Sequence, residues 1–172
     1  MNLEPSNQLK LFGHKENFNY LTNLFNKEIF PSKIILSGPD GIGKSTFAYH
    51  FINFVLSSDE IDTYDIKNNE IISKNKSFNL LNNKIHPNFF SVYLVEEKKN
   101  IEISQIRSMI EFSNKSSFNN KPRFILINNI ELLNINSANA LLKVLEEPNE
   151  GIFFILIHNN SKKIQDTINS RC

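Results

Sequence analysis

The chain has little of what marks several specialised classes of protein. It contains one cysteine, Cys172, among 172 residues, which excludes an internal disulfide and a cysteine-rich zinc site. The first five residues lack the basic-then-apolar pattern of a signal peptide, so we expect a cytoplasmic protein. A formal net charge of +1 provides no global attraction for nucleic acid or membrane. No apolar run approaches the ~18–20 residues of a bilayer-spanning helix, and no membrane partner is predicted.

What the chain does contain is typical of one α/β domain. Its hydrophobic content of 40% is enough for a core. Hydrophobic periodicity predicts four helices, at 14–30, Lys44–Leu56, Ile103–Phe112 and Ser137–Glu147. Short apolar runs predict four strands, at Lys33–Ser37, Phe89–Val95, Phe124–Ile127 and Ile152–Ile157. Because strands and helices alternate, we predict a parallel sheet with helices on both faces.

Local signals set some of the expected boundaries. Pro31 is expected to end the first helix, and Ser137 is expected to cap the last one. Residues 57–84 are polar and rich in Asn, Lys and Ser, with only scattered apolar residues. We interpret them as a long loop or a weakly structured insertion.

A complete phosphate-binding motif follows the first predicted strand. It matches G-x-x-x-x-G-K-[S/T] at every fixed position and comprises Gly38, Pro39, Asp40, Gly41, Ile42, Gly43, Lys44 and Ser45. The glycines allow successive backbone N–H groups to converge on phosphate oxygens, and the following helix adds the positive end of its dipole. The motif therefore predicts a P-loop that binds ATP or a close relative.

Two side chains of the motif and the residue that follows it complete the phosphate-binding half of the predicted site. Lys44 can reach the outer phosphates, and Ser45 can hold Mg²⁺ through the bound nucleotide. Thr46, at the start of the same helix, is included in the predicted nucleotide site.

The acidic residue that completes an ATPase site is not found at its expected position. The acidic Mg²⁺-binding residue of a P-loop enzyme follows a neighbouring strand, but Phe124–Ile127 is followed by Asn128 and Asn129. Asparagine is neutral and cannot act as a general base. Glu131 is expected to lie too far along the chain to replace it. The sequence thus predicts ATP binding with little or no hydrolysis.

The C-terminal part of the chain resembles a known family. The run Asn139–Pro148 reads N-A-L-L-K-V-L-E-E-P, and an apolar strand and Ser170-Arg171-Cys172 follow it. This combination resembles the clamp-loader branch of the AAA+ ATPases, and within that branch the delta prime subunits of bacterial DNA polymerase III. The resemblance runs from about Gly13-His14 to Cys172. It implies one AAA+ nucleotide-binding domain over residues 1–172, with a RecA-like parallel sheet.

The resemblance also implies residue roles and partners. Arg171 would act in trans as an arginine finger, which stabilises charge on a transferring phosphoryl group in a neighbouring subunit. Asn159 would be a sensor of the γ-phosphate, although it is equally suited to forming a turn. His14 lies where the family contacts the base. The implied partners are gamma/tau and delta subunits, the sliding clamp, and primed DNA reached through the complex.

Some features of the family are missing from this chain. Many members carry a four-cysteine zinc module in the region of 57–84, where this chain has no cysteine, so no zinc is expected. Members continue past Ser-Arg-Cys into a lid and a collar, so we expect this chain to be partial and to assemble poorly alone.

Two other functions remain as alternatives. One is an active motor ATPase of the gamma/tau type, which Asn128 and Asn129 disfavour. The other is an unrelated P-loop enzyme such as a small-molecule kinase, for which no acceptor-binding residues are evident.

Overall fold

One parallel four-stranded sheet organises the part of the chain that the structure, a computed structural model, describes: residues 4–117 and 119–171. The strands are β1 (Lys33–Gly38), β2 (Phe89–Val92), β3 (Arg123–Ile127) and β4 (Ile152–Asn159). Their order across the sheet is β1-β4-β3-β2, and each neighbouring pair is parallel. The prediction of a parallel sheet is confirmed.

Helices connect the strands and cover both faces of the sheet. They are α1 (Lys15–Asn26), α2 (Lys44–Leu56), α3 (Lys76–Asn82), α4 (Ile103–Asn114), α5 (Ile135–Glu146) and α6 (Asp166–Asn169). Short 3₁₀ turns occupy Pro5–Asn7 and Ile130–Leu132. None of the helices within the described ranges is long and apolar enough to cross a membrane.

The core consists of two layers, one on each side of the sheet. Every residue of β3 is buried. Phe124 and Leu126 pack with α1 and α2, whereas Ile125 and Ile127 pack with α4 and α5. A parallel strand buried on both faces is apolar at consecutive positions rather than at alternate ones. This explains why the strands appear in the sequence as short continuous apolar runs.

Two helix boundaries differ from the sequence prediction. Helix α1 ends at Asn26, well before Pro31, because Glu28 adopts a left-handed conformation (φ 59°). There the Ile29 N–H bonds the Leu24 carbonyl and the Glu28 N–H bonds the Phe25 carbonyl, which is a Schellman ending.

The start of α5 also lies earlier than predicted. Asn134, and not Ser137, caps the helix: its side-chain oxygen accepts the Ser137 N–H at 2.9 Å. The Ser137 hydroxyl instead donates to the Ile101 carbonyl at 3.2 Å, which ties α5 to the start of α4.

The interpretation of 57–84 as a long loop or a weakly structured insertion is correct only in part: residues 57–75 contain no helix or named strand, but the segment is packed and includes α3. Tyr64, Ile71 and Leu81 are only 5%, 2% and 2% exposed and belong to the core beside α2. The Glu60 carboxylate accepts the backbone N–H of Lys76 at 2.8 Å, which satisfies a donor in the first turn of α3. The sparse apolar residues show no common periodicity in the sequence, because Tyr64 and Ile71 pack from loop positions and Leu81 packs from the short helix α3.

This packed segment buries two histidines. His50 is fully buried, and its ring bonds the Tyr64 hydroxyl at 2.9 Å and the Gln8 carbonyl at 3.1 Å. Burial lowers the pKa of His50 to about 4. Burial likewise lowers the pKa of His86 to about 4, against the opposing effect of the nearby Glu60 carboxylate. Both rings are therefore neutral in the folded protein at neutral pH.

Acid should destabilise the fold through these two histidines. Between pH 6.5 and 4 the unfolded chain binds protons that the folded chain does not, so stability falls as the pH falls. Each histidine should remove about 2 kcal/mol of unfolding free energy between pH 7 and pH 5. Denaturant unfolding of the wild type and His50→Gln at both pH values checks this. The variant should lose about half of the histidine-dependent change, and an unchanged pH dependence would contradict the assignment.

Candidate nucleotide site and a distant arginine

The P-loop connects β1 to α2 and has the backbone conformation that its glycines allow. Gly41 and Gly43 both have positive φ, 78° and 89°. A Cβ added at either glycine would meet no heavy atom within 4 Å, so the requirement is conformational and not steric. The loop thus leaves open space beside its backbone, as the close approach of a phosphate requires.

The lysine of the motif folds back over the loop. Lys44 Nζ donates to the Gly38 carbonyl at 2.9 Å and to the Pro39 carbonyl at 2.5 Å. The Asp40 carboxylate accepts the Gly41 N–H at 3.0 Å. A phosphate can replace these internal contacts, because hydrogen bonds from N–H groups to a charged oxyanion are stronger than those to a neutral carbonyl.

Ser45 lies against the first of the two asparagines that follow β3. Its hydroxyl donates to Asn128 Oδ1 at 2.8 Å. The Asn128 N–H bonds the Val92 carbonyl at 2.9 Å, which holds this position at the end of the sheet. Asn128 therefore lies beside Ser45, the serine predicted to hold Mg²⁺, and it supplies a neutral oxygen there. Mg²⁺ is usually bound through one or two carboxylates together with phosphates, so Ser45 and Asn128 alone form a weak donor set.

Glu131 lies beside the candidate site, although its side chain does not line the cavity at the P-loop. The 3₁₀ turn after β3 folds back, so that the two carboxylate oxygens accept from Asn129 Nδ2 at 3.3 Å and from the Asn159 backbone N–H at 3.2 Å. The left-handed Asn129 (φ 55°) reverses the chain and brings the Glu131 carboxylate back towards the end of β4. An acidic group is thus present at the carboxyl edge of the sheet, one turn after the usual position.

Asn159 is placed beside the P-loop by strand pairing. It is the register partner of Gly38 and is 8% exposed. Its side-chain oxygen accepts from Ser161 N at 3.1 Å and from Ser161 Oγ at 2.8 Å, as in a turn. Its side-chain nitrogen has no hydrogen-bond partner within 4–117 and 119–171. Asn159 thus forms a turn, and its side-chain N–H groups are available for a phosphate or a water.

Most of the residues predicted to bind the nucleotide line one cavity. It has a volume of about 250 Å³ and is lined by Pro5, Asp40, Gly41, Gly43, Lys44, Ser45, Thr46, Asn129, Ile157 and Asn159. A second cavity of about 310 Å³ adjoins Lys44 on the α1 side, and His14 and Ile42 line it. His14 Nε2 bonds the Ile42 carbonyl at 2.8 Å, so the segment before α1 is attached to the P-loop.

Arg171 is not part of this cavity. Its Nε donates to Glu146 Oε1 at 3.0 Å, at the C-terminal end of α5. That end lies beside the first residue of β1, because Lys33 Nζ donates to the Leu145 carbonyl at 2.5 Å. The P-loop follows the other end of β1, about 16 Å away for five steps of a strand. Arg171 and the P-loop therefore lie at opposite edges of the sheet. Cys172 lies outside the described residues.

The sequence pattern does not identify Glu146 as the partner of Arg171. A usable signal exists, because Glu146 and Glu147 lie in the last turn of a helix, where the dipole disfavours anions. Only the return of the chain through α6 shows which of the two has a cationic partner. Among the described residues, no group of three or more His, Cys, Asp or Glu side chains could hold a metal ion.

The chain is similar to known subunits of DNA polymerase III. Over residues 13–172 the chain matches a family model described as DNA polymerase III, delta subunit. It is 31% identical to a Pseudomonas aeruginosa protein named DNA polymerase III subunit delta', over 80% of this chain and 40% of that protein. It is 30% identical to the DNA polymerase III subunit gamma of Buchnera aphidicola (subsp. Schizaphis graminum), over 98% of this chain and 44% of that protein.

A gamma/tau subunit from Mycoplasma genitalium is 27% identical over 98% of this chain and 27% of that protein. The chain thus spans less than half the length of these relatives. The match confirms both the resemblance carried by Asn139–Pro148 and the predicted α/β fold of the AAA+ P-loop proteins. The chain belongs to the family described as DNA polymerase III, delta subunit.

Proposed function

We propose that this chain is a clamp-loader subunit of the bacterial DNA polymerase III holoenzyme. In this role it binds ATP through its P-loop, hydrolyses little or none of it, and donates Arg171 to a neighbouring subunit while the sliding clamp is loaded onto primed DNA. The neighbours would be gamma/tau and delta subunits. The observation that carries the proposal is the 2.8 Å hydrogen bond from Ser45 to Asn128, a neutral amide where a hydrolysing site needs a carboxylate.

ATP binding is supported by the P-loop and what surrounds it. The left-handed glycines, the N-terminus of α2 and the Lys44 ammonium supply the donors that recognise phosphates. The His14-lined cavity lies next to Lys44 and offers apolar surface on which a base could pack. Any Mg²⁺ would be held mainly by the phosphates of the nucleotide, with Ser45 as the protein oxygen.

The donation of Arg171 in trans is supported by its position. A guanidinium at the opposite edge of the sheet from the P-loop cannot reach a nucleotide bound there by the same chain. It can reach the nucleotide of a neighbour whose P-loop edge packs against this edge. An arginine so placed would stabilise the charge that develops during phosphoryl transfer.

One observation favours a second candidate, an active motor ATPase of the gamma/tau type. The Glu131 carboxylate lies at the carboxyl edge of the sheet and bonds the Asn159 backbone N–H. A carboxylate there could orient a water as a general base. However, Glu131 already accepts hydrogen bonds with both oxygens, and Asn128 leaves the metal without a protein carboxylate. We therefore prefer the non-hydrolysing role.

Removing the P-loop ammonium should strongly weaken nucleotide binding. Lys44→Ala loses a charged donor to the phosphates, and we expect ATP affinity to fall at least about tenfold, since hydrogen bonds to charged groups contribute roughly 1.5–3 kcal/mol. Titration with fluorescently labelled ATP measures the change. Lys67→Ala, at an exposed position that lines neither cavity, is the matched control and should bind as the wild type does. Equal affinity of Lys44→Ala and wild type would contradict the assigned site.

Introducing a carboxylate at position 128 should make nucleotide binding depend on Mg²⁺. We expect the wild type to change its ATP affinity less than about threefold when Mg²⁺ is chelated, because Asn128 is a weak ligand. Asn128→Asp should bind ATP roughly tenfold more tightly with Mg²⁺ than without it. Asn136→Asp adds the same charge at the exposed start of α5 and should behave as the wild type does. Strong magnesium dependence in the wild type, or turnover that Glu131→Gln removes, would favour the motor ATPase.

Removing the arginine should impair hydrolysis in a neighbour. We would reconstitute a complex in which the only hydrolysis-competent site faces Arg171. There Arg171→Ala should lower single-turnover ATP hydrolysis by about 10²-fold, the cost of one transition-state donor. Arg107→Ala, an exposed arginine on α4, is the matched control. Undiminished hydrolysis with Arg171→Ala would refute the donation of this residue.

A further inference from the structure

The Arg171 guanidinium is held by three hydrogen bonds within its own chain. Nε and Nη2 both donate to Oε1 of Glu146, at 3.0 and 2.5 Å. Nη1 donates to the Thr167 carbonyl, one helical turn back, at 3.0 Å. The carboxylate thus binds the side edge of the guanidinium, and the backbone of α6 binds one of its terminal nitrogens.

The remaining donors define what this arrangement can still bind. A guanidinium has five N–H groups. Three of them make the bonds to Glu146 and Thr167, so one N–H remains on each of the two terminal nitrogens. The Nη2 N–H that does not face Glu146 lies at the end of the guanidinium, where it can donate to a phosphate oxygen. The contact with Glu146 therefore leaves Arg171 able to bind a phosphate with its end.

The two residues are attached to one packed unit. Ile168, in α6, is 1% exposed and belongs to the same core cluster as Leu141 and Leu145 of α5. The Arg171 N–H bonds the Ile168 carbonyl at 3.2 Å. The backbone beneath Arg171 is thereby fixed to the turn of α5 that carries Glu146, and the carboxylate needs to orient only the side chain.

Electrostatics at the end of α5 favour this pairing. Glu146 lies in the last turn, where the helix dipole disfavours an anion, and the Arg171 cation offsets that effect. Both side chains are partly exposed, 33% for Arg171 and 51% for Glu146, and ion pairs at such positions contribute little to fold stability. The consequence of the pair is thus orientation of a long, flexible side chain.

We infer that Glu146 is a positioning residue for Arg171. It holds the guanidinium with its end free to donate, so that the nucleotide phosphate of a neighbouring subunit meets a pre-oriented donor. This inference rests on the proposed donation of Arg171 in trans. Pre-orientation affects the rate of the reaction and leaves binding of ATP by the neighbour unchanged.

A double-mutant cycle in the reconstituted complex tests the inference. Glu146→Ala should lower single-turnover hydrolysis at the neighbour's site by about tenfold and leave its KM for ATP unchanged. In the Arg171→Ala background, Glu146→Ala should have no further effect, because the residue acts only through the arginine. Glu146→Gln, which keeps the shape and one acceptor oxygen, should give an intermediate rate and serves as the readout if the alanine variant does not fold.

Glu147→Ala is the matched control. Glu147 is the adjacent residue, exposed, and makes no hydrogen bond or ion pair within the described ranges. It should leave the rate unchanged. An equal loss in Glu147→Ala, an additional loss in the Arg171→Ala background, a shift in KM, or no change in Glu146→Ala would overturn the inference.

A faster rate in Glu146→Ala would also overturn it, because the carboxylate would then restrain the arginine and not present it. The single variant Arg171→Ala separates the two proposals. If it leaves hydrolysis intact, the proposed function fails together with the inference, whereas a loss in Arg171→Ala alone refutes only the role of Glu146.

Discussion

The parallel pairing of β1 with β4 is the constraint that determines which residues meet at each of the two edges of the sheet. Its register places Gly38 opposite Asn159 at one edge and Lys33 opposite Phe154 near the other. At the first edge it brings the P-loop next to the turn after β4 and the Glu131 carboxylate. At the second edge it places Lys33 where its ammonium reaches the C-terminal end of α5. A shift by one residue would turn buried side chains of β4 to the wrong face, so the packing on both faces secures the register.

Burial of the sheet on both faces also explains where its polar side chains lie and how they are held. Strand interiors such as Phe124–Ile127 are covered by helices on each side, and the polar residues are confined to the strand ends. At those ends each functional group is held by a neighbour: Ser45 by Asn128, and Glu131 by Asn129 and Asn159. Buried or half-buried polar groups need such partners because desolvation without them is costly.

The separation of the P-loop from Arg171 divides the proposed chemistry between subunits. One edge of the domain offers donors for the phosphates of a nucleotide, and the other edge offers a cation to a nucleotide held elsewhere. Under the proposed function, a neutral Asn128 does not prevent the domain from taking part in hydrolysis. The domain contributes to hydrolysis at the neighbouring subunit's site instead, and Glu146 keeps the Arg171 side chain oriented for this.

The sequence alone determined the strand and helix alternation, the parallel sheet and the P-loop. These features are encoded locally, in hydrophobic periodicity and in glycine positions whose backbone conformation only glycine adopts easily. It also placed Asn128 correctly, because the residue directly follows a buried strand. The tertiary structure decided the rest: the packing of 57–84, the return of Glu131 to Asn159, and the partner of Arg171. Those contacts join Glu131 to Asn159 across 28 residues and Glu146 to Arg171 across 25. No local pattern records them, because they depend on how turns and helices return the chain to the sheet.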